Sequence, residues 1–176
     1  LHVRSRRQRQ MCIRDSKRFD LEPYFAGIDR GASYEHPIAM QFLTNGPQAH
    51  WQTIEQAFIK ACSIAHEEIL VQTPYFLPPE GLLMSLCSAA LRGIHVSVML
   101  PERGDSYLTQ RASDSYLTQL LQAGVDVRRY RGGFLHSKLL VVDRRIVGIG
   151  SANMDFRSLE INLEVMSFVY DKQIAE

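Results

Sequence analysis

Cysteine is scarce in this chain of 176 residues. The three present, Cys12, Cys62 and Cys87, show neither CxxC nor other metal-ligand spacing, which leaves no cysteine-built metal site to argue for. Cys62 and Cys87 fall inside apolar helical patterns and read as buried free thiols, which suits a reducing compartment. Long apolar runs are missing too. Nothing approaches the ~18 residues of a membrane span, so any membrane attachment of this segment is peripheral or lies in other sequence. A strong charge of one sign is also lacking: the formal net charge is +1. Five Arg and one Asp stand in residues 1–16, a surplus of four positive charges, so residues 17–176 sum to −3. A slightly acidic body argues against broad nucleic-acid binding, which needs a basic face.

What is present is an ordinary folded composition, 45% hydrophobic and 22% charged, on the scale of one domain. The opening LHVRSRRQRQMCIRDS has no apolar core of a secretory signal, and residues 1–16 read as an extraneous or disordered segment. Residues 17–35, with Pro23, Gly27 and Gly31, read as a linker. The final DKQIAE reads as the start of an unfinished helix, so a truncated half-domain over 36–176 is expected.

A βα rhythm fills that domain. The pattern predicts a strand over 38–43 closed by Asn45-Gly46-Pro47, and a helix whose buried stripe is Trp51, Ile54, Phe58, Ala61 and Ala65. A strand over 68–72 follows, stopped by Thr73-Pro74. Pro79 opens a helix with Leu82, Leu83, Leu86 and Ala90 inward and Gly93 as its stop. A strand over 94–100, a helix ending at Gly124 and a strand over 125–130 complete the alternation, which implies a sheet with helices on its faces. The last third reads as strands over 138–142, 145–149 and 159–170. In the last of these, Leu159, Ile161, Leu163 and Val165 form an apolar face and Asn162 and Glu164 a polar one. The hexapeptide DSYLTQ occurs at 105–110 and 114–119, an offset that faces the copies oppositely on one helix and excludes a structural repeat.

Chemistry concentrates in one segment: His136-Ser137-Lys138, then Asp143, then Gly150-Ser151-Ala152-Asn153. Residues two apart on an extended chain share a face, so His136 and Lys138 point together, as do Ser151 and Asn153. A nucleophile or general acid, a fixed cation, a hydroxyl and an amide are what an anionic phosphodiester requires. Gly150 is expected to let the backbone approach the ligand. Each piece alone is unremarkable, and the joint spacing carries the argument.

That spacing, HxK-x4-D-x6-GSxN, resembles the HKD signature of the phospholipase D superfamily. Thr73-Pro74-Tyr75-Phe76, Ala90-Leu91-Arg92-Gly93, Ala123-Gly124-Val125, Gly133-Phe134-Leu135-His136, the run from Ser151 to Ser158 and Asn162-Leu163-Glu164 are similar to the second catalytic half of bacterial cardiolipin synthases. The resemblance implies a phospholipase D-type α/β/α sandwich with a central mixed sheet. It implies phosphatidyl transfer through a phosphatidyl-histidine, with His136 as nucleophile or as acid/base. Lys138, Ser151 and Asn153 bind phosphate oxygens, and no cofactor or metal is called for. Asp143 and Glu164 join the catalytic set: Glu164 as orienting partner of His136, Asp143 as a support of the framework, since its odd offset from Lys138 points it to the other face. Tyr75 stands as a possible substrate contact.

The resemblance further implies phosphatidylglycerol as substrate, a bacterial membrane surface as location, no nucleic acid, and a second HKD half in the same full-length chain or by homodimerisation. None of the other histidines stands in an HxK context. Hydrolysis of a phosphodiester by the same residues, and a non-catalytic pairing half, remain the alternative readings.

Overall fold

The computed structural model describes residues 37–49, 51–102, 104, 107–133 and 135–176. The basic opening 1–16, the linker 17–35, Phe134 and the start of the first DSYLTQ copy lie outside the described residues. From Ile38 to Glu176 the chain forms one compact unit.

Among the described residues nine strands organise it: β1 (Ala39–Asn45), β2 (Glu68–Gln72), β3 (Phe76–Leu77), β4 (His95–Pro101), β5 (Asp126–Tyr130), β6 (Leu139–Val142), β7 (Ile146–Gly150), β8 (Met154–Asp155) and β9 (Glu164–Tyr170). Seven make one sheet in the order β1-β9-β7-β6-β2-β4-β5, and β3 pairs with β8 apart from it. Helices α1 (Thr53–Ile64), α2 (Glu80–Leu91) and α3 (Tyr107–Gln122) alternate with the early strands, and a short α4 (Lys172–Ala175) ends the chain. The β2, β4 and β5 strands run parallel, joined by α2 and α3, whereas β6, β7, β9 and β1 run antiparallel. The mixed α/β sheet expected from the sequence is what forms.

The helices end as their glycines predict. Gly93 and Gly124 have φ of +89° and +90°, and the residue after each donates back to the last turn, Ile94 to Ala89 and Val125 to Leu120. Inward stripes of α1 and α2 meet one sheet face in the main core, where Ile54, Phe58, Leu82 and Leu86 pack against Ile69, Val71, Leu140 and Phe168. Trp51 does not join that stripe. It precedes the first turn and is 78% exposed, because α1 starts only at Thr53. Cys62 and Cys87 are buried free thiols, and burial pushes Cys62 up to about 12, far from thiolate chemistry. On the opposite sheet face Val141, Val147 and Val169 form a smaller cluster that Ala175 touches. The alternating burial of β6 therefore serves two cores, as its unbroken apolar run implies.

The strand expected over 159–170 does not form as one piece. Arg157–Ile161 is a π-helical turn, and β9 begins only at Glu164. Leu159 is buried in the turn, while Ile161, Leu163 and Val165 are all about half exposed, so the expected apolar face is not a buried one. The turn is held from outside: the buried Asn45 Nδ2 donates to the Leu159 carbonyl.

Gly150 has a different role from the expected ligand approach. A Cβ there would stand 2.2 Å from the Val165 carbonyl oxygen and 2.8 Å from Met166 Cα, so the missing side chain is what lets β7 close on β9. Gly150→Ala is expected to destabilise the fold by about 3 kcal/mol, the scale of forced overpacking. Urea unfolding should show this as a lower midpoint with unchanged slope. A midpoint equal to wild type would contradict the packing role.

Candidate active site

Three ladder ends meet at one end of the antiparallel half. Strand β6 starts at Leu139, directly after His136-Ser137-Lys138. Its neighbour β7 runs the other way and ends at Gly150, directly before Ser151, with Leu139 opposite Ile149. Next in order, β9 starts at Glu164, with Gly150 opposite Met166. Antiparallel pairing thus gathers segments far apart in sequence.

His136 and Lys138 lie in the extended approach to β6 rather than in its ladder. The approach is pinned by Ser137 Oγ, which donates to Gln72 Oε1 at 2.9 Å at the end of β2. His136 is exposed, and its carbonyl accepts from Lys138 Nζ at 2.8 Å. Lys138 is half-buried. Burial draws its ammonium below the usual lysine range, and the carboxylates of Glu164 and Asp155 act in the opposite sense.

Glu164 uses both carboxylate oxygens: Oε2 accepts from Ser151 Oγ, and Oε1 from Asn162 Nδ2 at 3.2 Å. Ser151 Oγ also accepts from Val165 N at 3.0 Å, which ties the end of β7 to the start of β9. Asn153 Nδ2 donates to Ser158 Oγ at 3.3 Å, while its Oδ1 is buried without a hydrogen-bond partner. Ser151 and Glu164 are therefore joined directly, Asn153 is held by Ser158, and the Lys138 segment stands at the same end of the sheet with His136 exposed. A cation and several polar hydrogens are presented beside an imidazole, an arrangement suited to binding and transferring a phosphoryl group.

Asp143 is not brought to this site. It follows the opposite end of the four-residue β6, ~16 Å along an extended chain from Lys138. There it accepts three backbone N–H bonds, from His66 at 2.9 Å, Glu67 at 2.8 Å and Glu68 at 2.9 Å. It also opens the β6–β7 turn, where Asp143 and Arg144 both have φ of 51°, a left-handed backbone that Asp tolerates well. An open groove of about 520 Å³ lies at this far end, lined by His66, Asp143, Arg145 and Tyr170, apart from the His-Lys pair.

Reading the sequence alone left some contributors without a role. The buried Thr73 donates to the Tyr75 carbonyl at 2.9 Å and accepts from Met154 N at 3.2 Å, so the TPYF block is a tie between two strands. Asp155 and Ser158 are both buried, and Asp155 Oδ1 accepts from Ser158 N at 2.7 Å. An Asp three residues ahead of a Ser at the start of a helical turn is a capping pattern, and that signal was available.

A family described as cardiolipin synthase, PLD-like domain, matches residues 58–176. The chain is 44% identical over 139 residues to the major cardiolipin synthase ClsA of Bacillus subtilis, covering 79% of this chain and 29% of that protein. It is 41% identical over 138 residues to a cardiolipin synthase of Listeria monocytogenes, covering 78% and 29%. It therefore spans less than a third of the length of these relatives. Among solved structures, Nuc from Salmonella typhimurium, a phospholipase D family member, superposes with a TM-score of 0.68 at 21% identity, over 79% of this chain and 88% of that one. A phosphatidylserine synthase from Haemophilus influenzae gives 0.60 at 20% identity, over 77% and 35%. At these identities the structures speak for the fold.

Burial alone would raise the Asp143 carboxyl, but its three backbone donors outweigh that and hold it below the usual aspartate range. A depressed folded value gives stability that is present above the unfolded pKa of about 3.9 and is lost as pH falls through the folded one. Asp143→Ala is expected to cost about 2 kcal/mol at neutral pH, the scale of lost hydrogen bonds to a charged group. The gap to wild type should narrow below about pH 4. Thermal melts across pH check this, and a gap independent of pH would contradict it.

Proposed function

The chain belongs to the family described as cardiolipin synthase, PLD-like domain, and from that premise we propose that it is one catalytic half of a bacterial phosphatidyltransferase that joins two phosphatidylglycerol molecules into cardiolipin. The observation that supports this reading is the meeting of the His136–Lys138 segment, the Ser151–Asn153 segment and Glu164 at one end of the sheet, within the span matched by the family.

The reaction divides into two displacements. One histidine attacks the phosphorus of phosphatidylglycerol. A P–N bond forms, the P–O bond to glycerol breaks, and a second histidine gives its proton to the departing glycerol oxygen. A hydroxyl of another phosphatidylglycerol then passes its proton to that second histidine and attacks the phosphorus, breaking the P–N bond and releasing cardiolipin. His136 takes one of these two roles. Lys138 offsets the charge on the non-bridging oxygens and Asn153 donates to them, with Ser151, whose one proton goes to Glu164, supporting the site beside them. Glu164 holds the His136 imidazole in the required tautomer and stabilises its charged form, from a position where it already anchors Ser151.

Two histidines require a second HKD half, in the remainder of a longer chain or in another copy. The chain's share of its relatives' length, 29%, leaves room for such a half. An open apolar surface on the sheet supports this too. Phe42 and Ile149 both stand opposite Ser167 of β9, on the face away from α1 and α2, and are 68% and 53% exposed. No helix among the described residues is long and apolar enough to cross a membrane.

The longer enzyme containing this half, given labelled phosphatidylglycerol with a chelator present, is expected to yield cardiolipin and free glycerol on chromatography. Phosphatidic acid as sole product would replace this reading with a hydrolase. In the same assay Glu164→Gln should lower turnover by about two orders of magnitude or more, the scale of acid–base contributions, with little change in melting temperature. Near-wild-type turnover in that variant would remove Glu164 from its role.

A further inference from the structure

Between Asn153 and Glu164 the chain passes through the π-helical turn Arg157–Ile161, and both ends of that turn reach the candidate site. At its start Ser158 Oγ accepts from Asn153 Nδ2 at 3.3 Å. Just past its end Asn162 N donates to the Arg157 carbonyl at 2.7 Å, which closes the turn, and Asn162 Nδ2 donates to Glu164 Oε1 at 3.2 Å. Single π turns are rare and occur frequently at functional sites. What holds this one comes from β1. Asn45, the last residue of that strand, stands opposite Glu164 in the ladder, at the same end of the sheet as Gly150 and Leu139. It is 4% exposed, and its Nδ2 donates to the Leu159 carbonyl inside the turn. Its Oδ1 is buried with no hydrogen-bond partner among the described residues. A carboxamide buried with one end unpaired costs stability that a leucine of similar size does not, so burial does not account for this residue and its donor does. The neighbouring Gly46 lies against the same segment: a Cβ there would stand 2.7 Å from Leu163 Cδ2.

We propose that Asn45 is a positioning residue: by holding the Leu159 carbonyl it sets the π turn, and the turn places Asn153 through Ser158 and Glu164 through Asn162. Four hydrogen bonds make up the relay, from Asn45 to Leu159, across the turn from Asn162 to Arg157, and outward to Asn153 and Glu164. A carbonyl inside a five-residue π turn has few partners within the turn, which gives an outside donor its leverage on the shape. Asn45 itself touches no substrate in this role. The inference rests on the functional reading only for its consequence in turnover, because the relay is a property of the folded chain.

Hydrogen exchange followed by NMR tests the relay, with each variant compared with wild type at the same pH. Asn45→Leu keeps the size and removes the donor, so the Asn162 backbone N–H and the Asn153 side-chain amide protons are expected to exchange about tenfold faster at every pH, as the loss of one hydrogen bond allows. Asn45→Asp donates to Leu159 as a carboxylic acid and not as a carboxylate. In that variant exchange should match wild type below the pKa of the new carboxyl, which burial sets above the usual aspartate range, and should match Asn45→Leu above it. A residue that only fills space would show no such dependence. Unchanged exchange in Asn45→Leu, or fast exchange at every pH in Asn45→Asp, overturns the inference. Wild type decides the case if neither variant folds: an Asn45 side-chain amide should show a scalar coupling across its hydrogen bond to the Leu159 carbonyl carbon, and its absence overturns the relay. In the longer enzyme Asn45→Leu should lower kcat by about tenfold with KM little changed, the mark of misplaced groups rather than lost binding. Wild-type kcat in an Asn45→Leu enzyme whose turn exchanges faster overturns the positioning role. The expected exchange pattern in a chain whose longer enzyme makes no cardiolipin overturns the functional reading and leaves the relay standing.

Discussion

The close approach of β7 and β9 is the constraint on which the site depends. With Gly150 opposite Met166, the end of one strand and the start of the other lie side by side, and a Cβ at Gly150 would stand 2.2 Å from the Val165 carbonyl. Because the strands come this near, Ser151 Oγ can both donate to Glu164 and accept from Val165 N. The same ladder, carried one strand further to β6, sets the Lys138 segment at the same end of the sheet. Backbone geometry assembles the polar groups, and the polar groups then stitch the strand ends together.

Three acidic residues show how position divides one chemical type among different tasks. Asp143 is spent on three backbone N–H groups at the far end of β6, where it closes a tight turn and secures the entry to β2. Glu164 is partly open and gathers side-chain donors at the site. Asp155 is buried and accepts a backbone N–H of the following turn. A carboxylate that takes backbone donors stiffens the frame, whereas one that gathers side-chain donors sets the local field at the candidate site.

The two faces of the sheet are unequal. One is closed by the inward stripes of α1 and α2. The other carries only a small valine cluster touched by Ala175, and near β1 it leaves Met40 and Phe42 half exposed or more among the described residues. Exposed apolar area of this kind costs solubility unless something covers it.

Much of this was legible in the sequence, for reasons that are local. Alternating apolar runs and stop residues located β2, both ends of α2 and the end of α3 within a residue or two, because period and capping depend on near neighbours alone. The HxK and GSxN spacings marked His136, Lys138, Ser151 and Asn153, since residues two apart on extended chain share a side whatever the fold. Relations across the chain were decided only by tertiary structure. The run from Leu159 to Ile161 has strand-like alternation, yet Asn45, 114 residues away, holds its carbonyl in a π-helical turn. Gly150 looked like a place for a ligand and proved to be a place for Val165. Asp143 carries the spacing of the motif but lies beyond the far end of its strand. The sequence by itself singled out the candidate site residues, through local geometry. Which of their segments meet was decided by strand register and burial, which no short stretch of sequence contains.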